Sequence, residues 1–360
     1  MDYLSNLKNI FISESAQRLY VTIPPERADP SFDAAPIKAE TAYLRLLLTD
    51  MYLARRRVLT QTRYPIVQAY CRFLHDGEKQ EINLVAGPQQ ISGLGQATDR
   101  VIGQNYPIFG PVPYAGGDVE IVLALTHMQA ADFGQDLVDV LGSLSQLAAS
   151  AEIQLAGKFL APVKQVLDSA FGIRKMQAHL VLHNTFSAEE NAPNRLHGGY
   201  WLVMDVTGGR VDPRTLWVKE GRLQRGPTLE DAQPFEGADY FLFYIQKLSQ
   251  RDDYSSITSV WKAWKAVIER ARQSSDEELD MAFETFRGVV LTSPDFIFTD
   301  QSRLITTLQK RVRALRKAPR RSGFLQKNHD ITTVMAEEAA ALEYAQPVSR
   351  EELMKVSWRE

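Results

Sequence analysis

The chain contains one cysteine, Cys71, among its 360 residues. A single cysteine cannot form a disulfide within the chain, and it cannot supply the thiolates of a cysteine-based zinc site. This composition is typical of proteins in reducing compartments. We therefore expect no disulfide framework and no metal centre, and we expect a cytoplasmic location.

The sequence also lacks a long uncharged apolar run. Residues 1–17 carry charges at Asp2, Lys8 and Glu14 and have no apolar core of the kind found in a signal peptide. The most apolar stretch, residues 137–171, is interrupted by five charged residues. Its uncharged parts are shorter than the roughly 20 residues that a membrane-spanning helix needs. We therefore predict no transmembrane segment.

Phosphate-binding loops and a nucleophile elbow are missing from the sequence as well. Gly93-Leu94-Gly95 lacks the third glycine of a dinucleotide fingerprint and the Lys-Ser/Thr pair of a Walker loop. His197-Gly198-Gly199 would suit the oxyanion loop of an α/β-hydrolase, but that fold also needs a G-x-S-x-G elbow. We interpret the glycines as a turn that opens a strand, and we expect no cofactor.

Candidate metal ligands and nucleophiles are isolated along the chain. His179 and His183 are four residues apart in a predicted strand, which separates them by about 13 Å, too far for one ion. We expect the other histidines, His127 among them, to stand alone. Cys71 and His75 could form a thiol–imidazole dyad, but Cys71 lies in an apolar run, where a cysteine is usually buried and unreactive.

One acidic pair, Asp252-Asp253, stands between a predicted strand and a predicted helix. It could hold a divalent ion or act as an acid–base pair. Acidic residues are also common just before a helix, where they cap N–H groups and complement the helix dipole. We favour the capping interpretation and assign no catalytic residue.

Length and patterning predict an α+β fold of about two domains. Runs rich in β-branched and large apolar residues, bounded by Pro, Gly and Asp, predict the strands. The run at 41–53 fits a helix as well as a strand, and residues 107–117 are predicted to be a turn-rich connection. The predicted strands cover residues 17–23, 41–53, 64–74, 81–85, 118–128, 177–186, 200–206, 216–218 and 240–248.

Helical spacing replaces this pattern over residues 133–171, which we interpret as a tightly packed hairpin, and again after residue 256. The prediction is thus a β-rich N-terminal part, a central helical hairpin with further strands, and a helical C-terminal region. The corresponding divisions are a β-rich region at 1–130, the hairpin with strands at 131–250, helices at 251–318 and a partly ordered tail at 319–360. The first two regions can share one core.

Local signals mark where the C-terminal helices begin. Ser275 with Glu278, and Ser349 with Glu352, have the spacing of a capping box. Asp300 is predicted to cap a third helix that runs to about residue 317.

Charge is strongly segregated although the net charge is only −3. Residues 301–330 contain nine basic residues and one acidic residue, whereas residues 331–360 contain three basic and six acidic residues. The first 300 residues therefore carry about −8, so the basic segment is attached to an acidic body.

The basic segment, residues 303–327, is the main candidate for a partner-binding site. A nucleic-acid backbone would be attracted to it, but no base-stacking aromatic residues are interleaved with its charges. A membrane surface fits less well, because the apolar stripe of the helix lacks Trp and Phe. The favoured interpretation is a solvated face, or one that pairs with acidic groups of the chain's own tail or of a partner. The candidate residues are Lys310, Arg311, Arg313, Arg316, Lys317, Arg320 and Arg321.

The acidic tail carries spaced apolar residues, so it can dock as a helix in a partner's groove or on its own body. Its candidate anchors are Leu342, Leu353, Met354 and Trp358.

These features favour a non-enzymatic binding or scaffold subunit of an intracellular multiprotein assembly, with contacts after residue 300. Two alternatives stay open. One is a hydrolase whose active site combines dispersed residues, with His197 and the Asp252-Asp253 pair as candidates. The other is a nucleic-acid-binding module that uses the basic segment.

Overall fold

The computed structural model describes residues 18–54, 57–58, 61–86, 105–129, 178–251, 253–317 and 349–359. The chain divides into unit 1, which comprises Met1–Lys38 and Leu44–Lys247, and unit 2, which comprises Ala39–Tyr43 and Leu248–Glu360. The described α-helices all belong to unit 2. The predicted α+β class, with a strand-rich N-terminal part and a helical C-terminal part, is confirmed. The predicted hairpin at 133–171 lies outside the described residues.

The described strands form three sheets. The first has the order β1-β10-β14-β3-β7, the second β13-β12-β11-β2, and the third β4-β5-β8-β9, with β6 also paired to β5. Their bounds are β1 (Arg18–Ile23), β2 (Ala28–Asp29), β3 (Tyr43–Tyr52), β4 (Arg57–Val58), β5 (Gln61–His75), β6 (Glu78–Ala86), β7 (Tyr106–Pro113), β8 (Val119–Gln129), β9 (Leu180–Phe186), β10 (Gly199–Asp205), β11 (Leu216–Lys219), β12 (Arg222–Arg225), β13 (Gln233–Pro234) and β14 (Tyr240–Leu248).

The centre of the first sheet is covered on both faces. Leu202 of β10 and Leu242 of β14 belong to a buried cluster with Leu216 of β11. On the other face, the ring of Trp201 lies 4.9 Å from that of Phe186 in β9. Strands buried on both faces need apolar side chains at every position, and the prediction that β10 and β14 lie centrally in a sheet is confirmed.

The third sheet contains the lone cysteine. β5 pairs antiparallel with both β6 and β8, and β8 pairs with β9. Cys71 is fully buried in β5. Burial raises the pKa of its thiol, so the thiol stays protonated near neutral pH and is a poor nucleophile.

Two sequence expectations about strands are settled by the strand pairing. Residues 41–53, which fit a helix or a strand, contain strand β3. Residues 107–117, predicted as a turn-rich connection, instead contain most of strand β7, and that prediction is wrong. β7 is at the edge of its sheet, where proline, which has no N–H to donate, is tolerated.

Gly110 of β7 makes a close backbone contact that only glycine allows. Its φ is +91°, a region that L-residues rarely adopt. A Cβ at this position would overlap the carbonyl oxygen of Leu44 and lie 2.8 Å from the Cα of Arg45. Gly117 also has a positive φ, +76°, but no described atom lies within 4 Å of a Cβ placed there.

We predict that Gly110→Ala lowers the free energy of unfolding by about 2–5 kcal/mol, from left-handed backbone strain plus overpacking. Gly117→Ala should lose only the backbone part, about 1–2 kcal/mol. Urea unfolding followed by far-UV circular dichroism measures both. Equal losses in the two variants would contradict the steric account.

Unit 2 contains four helices among the described residues. They are α1 (Thr258–Gln273), α2 (Asp276–Thr292), α3 (Phe298–Lys317) and α4 (Arg350–Lys355). No helix in the described ranges is long and apolar enough to cross a membrane. Each of the first three buries an apolar stripe at helical spacing, which comprises Val260, Trp264, Val267, Phe283, Phe286, Val290, Leu304, Leu308 and Val312.

Both predicted capping boxes are confirmed. The Ser275 hydroxyl accepts a hydrogen bond from the backbone N–H of Glu278, whose carboxylate accepts one from the backbone N–H of Ser275. Ser349 and Glu352 repeat the arrangement at α4. The predicted cap at Asp300 is wrong, because α3 begins two residues earlier and Asp300 lies inside its first turn.

Asp300 instead belongs to a buried polar cluster in unit 2. Its carboxylate accepts hydrogen bonds from the backbone N–H of Arg251 at 2.9 Å and from the Tyr254 hydroxyl at 3.0 Å. Burial raises the pKa of this carboxyl, and the neighbouring Arg303 guanidinium opposes that shift.

The side chain of Arg251 is fully buried in the same cluster. Its guanidinium donates to both carboxylate oxygens of Asp253, at 2.8 and 2.9 Å, and to the carbonyl of Asp295 at 2.9 Å. The acidic pair Asp252-Asp253 was interpreted as a helix cap. The Asp253 carboxylate instead neutralises the buried Arg251 guanidinium and makes no capping hydrogen bond. Asp252 lies outside the described residues.

We expect Arg251→Met to destabilise the protein by about 1–3 kcal/mol, because the Asp253 carboxylate and the Asp295 carbonyl lose their hydrogen-bond donors. Arg270→Met is the matched control. Arg270 is exposed, and within the described part of the chain its side chain donates to the carbonyl of Ala266 in its own helix, so its loss should cost less than about 0.5 kcal/mol. Loss of helical circular dichroism in denaturant measures both, and similar values would refute the assignment.

Candidate functional site

The C-terminal segment, residues 349–359, is docked on helices α2 and α3 of unit 2. Ser349 caps its short helix α4, and Leu353 on that helix has no exposed surface. Beyond the helix the chain reaches Trp358, whose residue surface is only 9% exposed. The sequence left open whether the tail docks on its own body or on a partner, and this part of it lies on its own body.

Three successive backbone carbonyls of the C-terminal segment accept hydrogen bonds from side chains. Arg287 of α2 donates to the carbonyl of Val356 at 2.7 Å. From α3, Gln309 donates to the carbonyl of Ser357 at 2.6 Å and Arg313 to that of Trp358 at 3.0 Å. These residues follow the end of α4, and side chains of α2 and α3 pair the backbone polar groups that the helix no longer pairs.

Trp358 is the side-chain anchor of this contact. Its indole N–H donates to the Asp280 carboxylate of α2 at 2.5 Å. The guanidinium carbons of Arg316 and Arg359 lie 5.6 and 5.4 Å from its ring centroid, within the range of cation–π attraction. Arg359 also forms an ion pair with Asp280. A buried tryptophan with a satisfied N–H and flanking arginines is typical of binding hot spots.

We call Asp280, Arg287, Gln309, Arg313 and Arg316 the docking surface. Two of them, Arg313 and Arg316, belong to the predicted basic site. Arg316 also donates to the carbonyl of Ser274 at 2.9 Å and pairs with the Asp276 carboxylate at 3.3 Å, so it ties the end of α3 to the start of α2.

The other predicted site residues differ in exposure, and some lie outside the described residues. Lys310 and Lys317 are exposed on α3, and Arg311 is half-buried. Among the predicted tail anchors, Met354 is 57% exposed, in contrast to Leu353 and Trp358. Arg320, Arg321 and Leu342 lie outside the described residues.

Sequence reasoning missed Asp280, Arg287 and Gln309. A signal for them existed in the helical spacing. Asp280 and Arg287 are seven residues apart on α2, and Gln309, Arg313 and Arg316 are spaced i, i+4, i+7 on α3, so each set lies on one helix face. What the sequence lacked was the information that residue 358 reaches these faces.

Unit 1 contains a histidine pair that the sequence did not predict. Nδ1 of His127 lies 2.7 Å from Nε2 of His179, whose Nδ1 lies 3.2 Å from the Asp239 carboxylate. The expectation that His127 stands alone is therefore wrong. The antiparallel register of β8 and β9 brings the two together, since it sets Leu125 opposite Leu180.

Two other candidate histidines lie within hydrogen-bonding distance of a neighbouring group. His183 hydrogen bonds to Glu120 at 2.8 Å, and Nδ1 of His197 lies 2.8 Å from the carbonyl of Gly198. Across the described ranges, no group of three or more His, Cys, Asp and Glu side chains is arranged to hold a metal ion.

We predict that Trp358→Ala releases the C-terminal segment from the docking surface. Truncating a buried tryptophan typically costs about 3–5 kcal/mol, and a helix as short as α4 is not stable alone in water. Backbone amides of residues 350–357 should then exchange on the order of a hundredfold faster in hydrogen-exchange mass spectrometry.

Met354→Ala is the control for this experiment, because Met354 is mostly exposed and should leave the exchange rates unchanged. Protection of the strands of unit 1 should be the same in both variants. Unchanged protection of α4 in Trp358→Ala would show that the tryptophan is not the anchor.

Comparison with known proteins provides no match from which a function could be inferred, so a functional proposal rests on the contacts described above. No family model, no curated protein and no solved structure matches the chain.

Proposed function

We propose that the protein is a non-enzymatic binding or scaffold subunit of a multiprotein assembly, which contacts its partner through helix α3 and the C-terminal segment. The observation that carries this proposal is the recognition of three successive peptide carbonyls by Arg287, Gln309 and Arg313. Side chains arranged along a peptide backbone are the apparatus of protein–protein recognition.

The surface of α3 supports a partner with acidic groups. Lys310 and Lys317 are exposed, and the sequence continues the basic run with Arg320 and Arg321. The first 300 residues carry about −8, so this run is a local positive patch on an acidic protein. Such a patch increases the rate of association with an acidic partner and discriminates against basic ones.

Nucleic acid is the less favoured partner. Arg313 and Arg316, which a phosphate-binding site would use, are engaged with carbonyls of their own unit, and Arg316 also with the Asp276 carboxylate. Fewer cations then remain for phosphates, and affinity for nucleic acid depends on how many are neutralised.

The test is purification of the tagged full-length chain from its native cells, followed by mass spectrometry of stoichiometric partners. We expect one acidic protein partner, with recovery at least about tenfold lower for the double variant Lys310→Glu, Lys317→Glu, because two attractive charges become repulsive.

The control double variant is Lys219→Glu, Lys262→Glu, which changes the net charge equally at two exposed lysines of β11 and α1. It should keep the partner. Equal loss of the partner in both double variants would show that binding depends only on the net charge. Recovery of the chain alone at every salt concentration would refute the proposal. Retention of nucleic acid that is lost steeply with salt would replace the protein partner with an oligonucleotide.

A further inference from the structure

The C-terminal segment has the properties of a ligand that is separable from the surface it occupies. Its helix α4 has its own capping box at Ser349 and Glu352, so its local structure is encoded within the segment. Thirty-one residues separate Lys317 from Ser349 in the sequence. A chain of that length spans at most about 110 Å when extended, which is long enough to reach the docking surface of another molecule.

The contacts that hold the segment carry no requirement for a connection in the same chain. The carbonyls of residues 356–358 and the indole of Trp358 are bound by side chains alone. A second copy would offer the same groups to the same partners. Exchange of an identical element between copies therefore preserves every contact, which is why it is a low-cost route to dimers.

We propose that the docking surface is a peptide-binding site for segments with a leucine five residues before a tryptophan, and that the C-terminal segment of a second copy of this chain binds there in trans. The proposal rests on the proposed function as a binding subunit and names its site and ligand. In one chain the attached segment competes at high effective concentration, so the site opens only when that segment is released.

The first test uses a fluorescently labelled peptide of residues 349–360 and measures its anisotropy with full-length protein. Trp358→Ala, in which the attached segment no longer competes, should bind the peptide at least tenfold more tightly than the wild type. Adding Arg313→Ala and Asp280→Ala to that variant should abolish binding. A peptide with the Trp358→Ala change should not bind, whereas one with Met354→Ala should bind normally.

Circular dichroism and thermal unfolding establish that each variant is folded. If Trp358→Ala does not fold, Trp358→Phe replaces it, because it keeps an aromatic ring and loses only the indole donor to Asp280. Its affinity for the peptide should lie above that of the wild type. Equal affinity of wild type and the released variant, or no binding to either, would overturn the peptide site.

The second test is complementation between two full-length variants. Trp358→Ala keeps the docking surface and loses the anchor, whereas Asp280→Ala, Arg313→Ala keeps the anchor and loses the surface. Each alone should be monomeric in light scattering after size exclusion, and an equimolar mixture should form a one-to-one dimer. A mixture that stays monomeric at concentrations where the peptide binds would overturn the second copy as ligand.

These outcomes are independent of the partner test above. Lys310→Glu, Lys317→Glu should keep peptide binding in the Trp358→Ala background, since neither lysine contacts the segment in the described structure. If the lysine variant loses the acidic partner and still binds the peptide, both proposals are supported. If the peptide does not bind to Trp358→Ala although the acidic partner binds and depends on the lysines, this inference alone is overturned.

Discussion

A six-residue helix has too few internal hydrogen bonds to persist alone in water, and this constraint explains how the C-terminal segment is held. α4 needs tertiary contacts, which Leu353 and Trp358 supply by burial. Beyond the helix, the backbone carbonyls of residues 356–358 accept hydrogen bonds from Arg287, Gln309 and Arg313. The docking surface therefore binds both the backbone of the C-terminal segment and the side chain of Trp358. Each set of contacts helps to hold the other in place.

The positively charged residues of α3 also differ in what they contact. An arginine facing a carbonyl can donate in a fixed direction and can stack on an aromatic ring, whereas a lysine is a flexible point charge. Arg313 and Arg316 accordingly contact the C-terminal segment, whereas Lys310 and Lys317 are exposed. One basic helix thus presents a structured face to a peptide and a solvated face to the surroundings.

Much of the fold could be predicted because its signals are local. The capping boxes need only two residues three apart, and the strands β10 and β14 are apolar at every buried position. β7 was missed because its prolines and Gly110 are typical of turns, and only its place at a sheet edge makes them tolerable. The His127–His179 pair depends on strand register, which a single sequence does not provide.

The sequence predicted the two parts of the site separately, but it did not predict that they contact each other. Basic α3 residues and apolar tail residues were each visible as patterns, but their meeting depends on contacts such as that of Arg313 with Trp358, 45 residues away in the sequence. No periodicity encodes such a distance, because periodicity reports only which residues of one element share a face. The acidic partner of Trp358 was harder still to find, since Asp280 resembles any solvated aspartate on an amphipathic helix. Its role follows from the need of a buried indole N–H for an acceptor, and that need exists only once residue 358 has reached α2.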